Sequence, residues 1–89
     1  MNHAVSVWLL TISAGGDGPH TVLIPPSPAS IHESYEDCRV ARDKRLAVYR
    51  AGLAPPIKGG PGWVQGGLPG ASAASTQFHL LTCEAKRVQ

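Results

Sequence analysis

The pattern of apolar and polar positions marks three main stretches of the chain as strands and a fourth, with apolar residues at helical spacing, as a helix. From Ala4 to Ile12, Val5, Val7 and Leu9 fall on one side and Trp8, Leu10 and Ile12 on the other. Both sides are apolar, the pattern of a central strand covered on both faces. The Gly15-Gly16-Asp17-Gly18-Pro19 cluster signals a turn, and His20 to Ile24 reads as a second strand ended by Pro25-Pro26, so the two make an antiparallel hairpin. Ala29 to His32 offers a short third strand, at an edge because Pro28 adjoins it. Phe78 to Lys86 is the last strand, with Phe78, Leu80 and Thr82 on one face and His79, Leu81 and Cys83 on the other. It is expected to pair beside the first.

The fourth stretch predicts a helix from Tyr35 to about Ala51. Ser34 can cap it by accepting a bond from a free backbone N–H, and Asp37 can reach back reciprocally. Glu36 and Asp37 then sit in the first turn and Arg39, Arg42, Lys44, Arg45 and Arg50 follow, which suits the helix dipole. Gly52 is expected to supply a left-handed stop, and Pro55-Pro56 forbid continuation. At 100° per residue, Tyr35, Cys38, Leu46 and Tyr49 form an apolar stripe with Arg42 in its middle and Arg45 at its edge. Two readings follow for these arginines. Their stems border a sheet that covers part of the helix, or their heads are presented to a partner.

Between the helix and the last strand, Leu53 to Gln77 carries six glycines among Pro55, Pro56, Pro61 and Pro69. Neither a helix nor a strand period survives that spacing, so the segment is expected to be a glycine-proline loop. Loops of about this length in a compact domain are usually functional. Within it Gly70 to Ser75 is a run of small residues. Ile57, Trp63, Val64 and Leu68 either tack the loop to the core or form a contact surface anchored by Trp63, since tryptophan dominates binding hot spots.

Composition narrows the classes. Eighty-nine residues make one domain with a single sheet-and-helix core. The formal net charge is +2, and all basic residues but Lys58 lie on the helix or near the C-terminus. That is too mild and too poor in motifs for a nucleic-acid binder, and the wrong sign for a DNA mimic. No apolar run is long enough for a membrane span. Ala4 to Ile12 lacks the basic leader of a secretory signal, so a cytoplasmic location is expected. Lys58, set in the same loop as Trp63, joins Trp63, Arg42 and Arg45 as candidate partner-binding residues.

Candidate chemistry is sparse. Cys38 at the helix start and Cys83 in the last strand could lie close in a helix-on-sheet fold, as two buried thiols, as a disulfide, or as a reactive site at the helix N-terminus. His3, His20, His32 and His79 with the cysteines lack zinc-ligand spacing, so no metal and no cofactor is expected. There is no Gly-x-Ser-x-Gly elbow. Gly59-Gly60-Pro61-Gly62 lacks the lysine and hydroxyl of a phosphate loop, and Glu36 with Asp37 is explained by capping. An enzyme is not expected.

Gly16-Asp17-Gly18, Thr21 to Pro25, Pro28, Ser34-Tyr35-Glu36-Asp37, and Leu46 with Tyr49 give residues 18–53 a resemblance to HicB-type antitoxins. That resemblance implies a partial RNase H-like β-β-β-α-β fold without nuclease residues, and a protein partner. Together these readings predict an α+β domain with a three- or four-stranded, mainly antiparallel sheet and one helix packed on it. The function expected is non-enzymatic protein binding, of the kind shown by inhibitors from phages or other mobile elements that occlude a larger bacterial protein, antagonists of defence included. An antitoxin neutralising a small toxin and a secreted disulfide-stabilised domain are the alternatives.

Overall fold

Ser34 starts the helix as its chemistry dictates: its Oγ accepts the Asp37 N–H at 3.1 Å. The computed structural model describes residues 5–70 and 75–88, and the small-residue run at 71–74, together with His3 and Ala4, lies outside them. In chain order the elements are β1 (Val5–Asp17), β2 (Ile24–His32), α1 (Tyr35–Ala51), β3 (Ala54–Gly60), β4 (Trp63–Gly67) and β5 (Thr76–Val88). They build one antiparallel sheet of order β2-β1-β5-β4-β3, with α1 across one face. The class is α+β, and the sheet has five strands rather than three or four.

β1 and β5 are the spine, paired without a break from Val5 opposite Val88 to Asp17 opposite Thr76. α1 carries the chain from β2 at one edge to β3 at the other. Its 17 residues span about 25 Å at 1.5 Å each, against about 19 Å for four inter-strand gaps, so the helix lies obliquely across the sheet. Beneath it Leu10, Ile12 and Leu81 pack with Cys38 as the buried centre, flanked by Trp8, Ala41, Leu46 and Tyr49. Trp8 meets Tyr35 edge to face, ring centroids 5.1 Å apart. Cys38 and Cys83 are joined by a disulfide, Cα atoms 6.1 Å apart, which ties the helix start to β5. Buried Gln77 pins the β1–β2 connection by bonding both the N–H and the C=O of Val22 at 2.9 Å.

Several expectations need correction. The second strand is not His20 to Ile24 followed by a separate short one. It is the continuous β2, which runs through Pro25, Pro26 and Pro28. An edge strand tolerates prolines because one of its sides needs no donors, and β2 absorbs them with register shifts against β1. Gly52 is not left-handed: its φ is −88°, its N–H bonds Tyr49 O at 3.1 Å, and Leu53 N–H bonds Arg50 O at 3.1 Å. The last turn tightens to i→i−3 bonding and delivers buried Leu53 straight towards β3.

The largest correction concerns Leu53 to Gln77, which is not a structureless loop. It contains the β3–β4 hairpin, closed by Pro61-Gly62 with Gly62 at φ +82°. Proline presets the first central position of such a turn and glycine takes the positive φ of the second. A Cβ on Gly62 would also sit 2.7 Å from Leu81 O, whose own residue donates its N–H to Gly62 O at 2.7 Å. Gly62→Ala is therefore expected to lower stability by about 2 kcal/mol in urea denaturation. Gly52→Ala, at negative φ and with nothing nearer than 3.5 Å to the added carbon, should stay within about 0.5 kcal/mol of wild type.

The sheet is also covered differently from expectation. The two-sided apolar pattern of β1 predicts a cover on both faces. α1 covers only the face carrying Leu10, Ile12 and Leu81, and no element among the described residues packs on the other.

Candidate binding surface

Strand alternation decides which residues reach the uncovered face. β1 contributes Val7, Leu9, Thr11 and Ser13, while β5 contributes Phe78, Leu80 and Thr82. Register extends the face sideways: Ile31 lies opposite Leu9, and Trp63 lies opposite Leu80. Trp63 and Phe78 form its aromatic part, ring centroids 6.0 Å apart and tilted by 33°. The indole lies over Gly60, where a Cβ would come within 2.6 Å of its Nε1, so only glycine admits this ring position. Leu80 is 37% exposed and Ile31 67%, large values for apolar side chains on a sheet. A row of hydroxyls, Thr11, Ser13 and Thr82, separates the Leu9–Ile31 end from the Trp63–Phe78–Leu80 end.

Charge on this face is balanced, and Glu84 and Lys86 stand directly opposite Leu9 and Val7. By register Lys58 on β3 and Asp17 on β1 lie towards one end of the sheet, and Glu84 and Lys86 of β5 towards the other. The Trp63–Phe78–Leu80 end, apolar with hydroxyls and charges around it, has the anatomy of a protein interface.

The candidate residues therefore separate. Trp63 and Lys58 come together on the uncovered face, on a hairpin rather than in a loop. Arg42 and Arg45 are on α1, across the sheet. The Arg42 side chain is 15% exposed, lies against the Gly62 turn, and donates from Nε to Asp43 Oδ1 at 3.1 Å. Arg45 is exposed beside a hollow between α1 and β2. Leu9, Ile31, Phe78 and Leu80 are the residues sequence reasoning did not single out. Their signal was the second apolar side of β1 and the alternation through Phe78 and Leu80.

Three groups titrate away from their ordinary values: the two of the Glu36–Arg39 pair, in which Arg39 is raised by its bond to Glu36, and His79. Arg39 hydrogen-bonds Glu36 and holds its carboxyl below 4.5, while also reaching Asp43 Oδ2 at 3.0 Å. Burial pushes His79 below 6.5; its ring stacks flat on Tyr49 at 4.1 Å and its Nδ1 is buried without a partner. A folded pKa below the unfolded one means the unfolded chain binds more protons in the window between them, so stability falls as pH drops there. Thermal melts should show full stability above pH 6.5, a decline below it from His79, and a further decline below 4.5 from Glu36. His79→Phe, which keeps the stack, should remove the first decline and leave the second.

Among the described residues no group of three or more histidines, cysteines or acids could hold a metal ion, and no helix is long and apolar enough to cross a membrane. Compared with known proteins, the chain matches no family model, no curated protein and no solved structure.

Proposed function

We propose that this protein is a non-enzymatic protein-binding module that occludes a surface of a larger partner with the uncovered face of its sheet. The observation that carries the reading is an apolar sheet face left without a second layer, with Leu80 exposed beside Trp63 and Phe78 and Ile31 exposed at its far end. Burying such a face is favourable at about 25 cal/mol per Å² of apolar surface, and stacked sheets pack about 10 Å apart. A partner that presents a matching apolar surface supplies the missing layer. Trp63 is the anchor, as an aromatic side chain in the well-packed part of the face. The setting we favour, by analogy of size, is an inhibitor carried by a mobile element against a bacterial protein.

Capture from the native host followed by mass spectrometry tests this. Wild type should retain one larger protein, and Trp63→Ala should weaken its retention tenfold or more, the effect of losing about 1.4 kcal/mol or above. Capture of that partner with equal strength by Trp63→Ala, or retention of nothing but a second copy of this chain, would overturn the reading. The Cys38–Cys83 bond favours a second reading of the setting, a disulfide-stabilised domain acting in an oxidising compartment. Alkylation of native material without reductant distinguishes the two settings, because only the oxidised domain stays unlabelled.

A further inference from the structure

α1 runs obliquely, so its C-terminal half diverges from β2 and leaves an open trough on the covered side of the sheet. The trough has two hollows that share Val48 and Tyr49. One, of about 490 Å³, has apolar walls from Leu10, Ala41, Val48 and Tyr49, and Lys44 and Arg45 stand at its rim with Ser30. The other, of about 320 Å³, is almost wholly apolar, with Val22, Ile24, Leu53 and Leu68 around the Val48–Tyr49 ridge. Both fall within the size range of small-molecule sites.

Charge tells the two ends apart. Arg39 and Arg42 are neutralised by Glu36 and Asp43. Lys44 and Arg45 have no ion-pair partner among the described residues, and neither hollow is lined by an acid. The trough thus has two uncompensated cations at one end and a greasy channel at the other. From Lys44 to Leu53 it follows the helix for about 14 Å at 1.5 Å per residue, enough for an extended tail of roughly eleven carbons. Val48 and Val22, at 69% and 56% exposure, leave its flank apolar and open.

We infer that this trough binds a single-chain anionic amphiphile, a monomeric long-chain carboxylate. Its head lies between Lys44 and Arg45 and its tail runs over Val48 and Tyr49 towards Leu53. The head is held by charge-assisted hydrogen bonds, which a planar guanidinium makes to a carboxylate in pairs. The tail is held by burial of apolar surface. The site is separate from the uncovered sheet face and does not depend on the role proposed for that face.

Titration of the whole chain with dodecanoate below its aggregation concentration, by calorimetry and by amide chemical shifts, tests the inference. One equivalent should bind with micromolar affinity and shift Val48, Tyr49 and Leu53 rather than Trp63 and Leu80. Lys44→Ala with Arg45→Ala, both on exposed positions, should weaken dodecanoate at least tenfold while leaving the weaker binding of dodecanol unchanged. Val48→Asp should abolish binding of both, and Trp63→Ala should alter neither. Absence of binding, an affinity unchanged by loss of the two cations, or shifts confined to the Trp63–Leu80 face would overturn it. So would binding to phosphatidylglycerol vesicles or to an acidic peptide by a protein that ignores monomeric dodecanoate.

Discussion

Loss of the Cys38–Cys83 bond is expected to lower stability by about 4 kcal/mol, because the bond closes a loop whose ends lie 45 residues apart in sequence and so restricts the unfolded chain. For a domain of this size that is about 20 °C in melting temperature. The position of the bond adds to its importance. It joins the first turn of α1 to β5 at the centre of the sheet, where Cys38 is fully buried among Leu10, Ile12 and Leu81. Thermal unfolding with and without reductant measures the effect, and Cys38→Ala with Cys83→Ala should reproduce the reduced value. Melting temperatures that agree within a few degrees would mean that the core holds the helix without the tie.

Leu80 and Leu81 are expected to behave in opposite ways although they are neighbours. Leu81 points under α1 at 1% exposure and Leu80 points to the uncovered face at 37%. Leu81→Ala should remove about 3 kcal/mol of stability, the transfer free energy of the lost atoms plus the cavity left behind. Leu80→Ala should remove less than about 1 kcal/mol. Partner binding should show the reverse, with Leu80→Ala weakening it about tenfold and Leu81→Ala acting only through the fraction folded. Denaturation midpoints and affinity for the captured partner, measured on the same two variants, give both halves. Equal loss of stability at the two positions would show that the second face is buried in the isolated chain.

These two leucines also show what the sequence could reveal. The alternation through Phe78 to Cys83 and through Val5 to Ile12 assigned each side chain to its face, and Ser34 with Glu36 and Asp37 set the start of α1. What alternation could not show was whether a covering element existed for each face. One helix covers one face, and the second apolar face of β1 is left bare. The hairpin at β3–β4 escaped because glycine and proline carry no periodic side-chain signal. Pro61-Gly62 was a turn signal in plain view, but the strand before it, Ala54 to Gly60, offers only Ile57 as a large apolar side chain. β2 escaped for a related reason. Prolines argue against a strand only where both edges must be paired, and edge position is a property of the sheet that the local sequence does not carry.

Arg42 and Arg45 belong to the same lesson. On a helical wheel they lie three residues and about 60° apart, yet Arg42 bonds Asp43 and lies against the Gly62 turn, whereas Arg45 stands free beside the trough. The hairpin makes the difference, and it was invisible as a strand pair. Trp63 was legible as a contact residue by type alone. Its companions Phe78 and Leu80 required the register of β4 against β5.

The central claim is that the partner supplies a second layer on the bare face of the sheet. Site-specific photocrosslinking tests it most directly, with a photoreactive residue placed at Leu80 on that face or at Val40 on the exposed side of α1. The account predicts a covalent adduct with the larger partner from position 80 and none from position 40. An adduct from position 40 with none from position 80 would place the partner on the helix and contradict it.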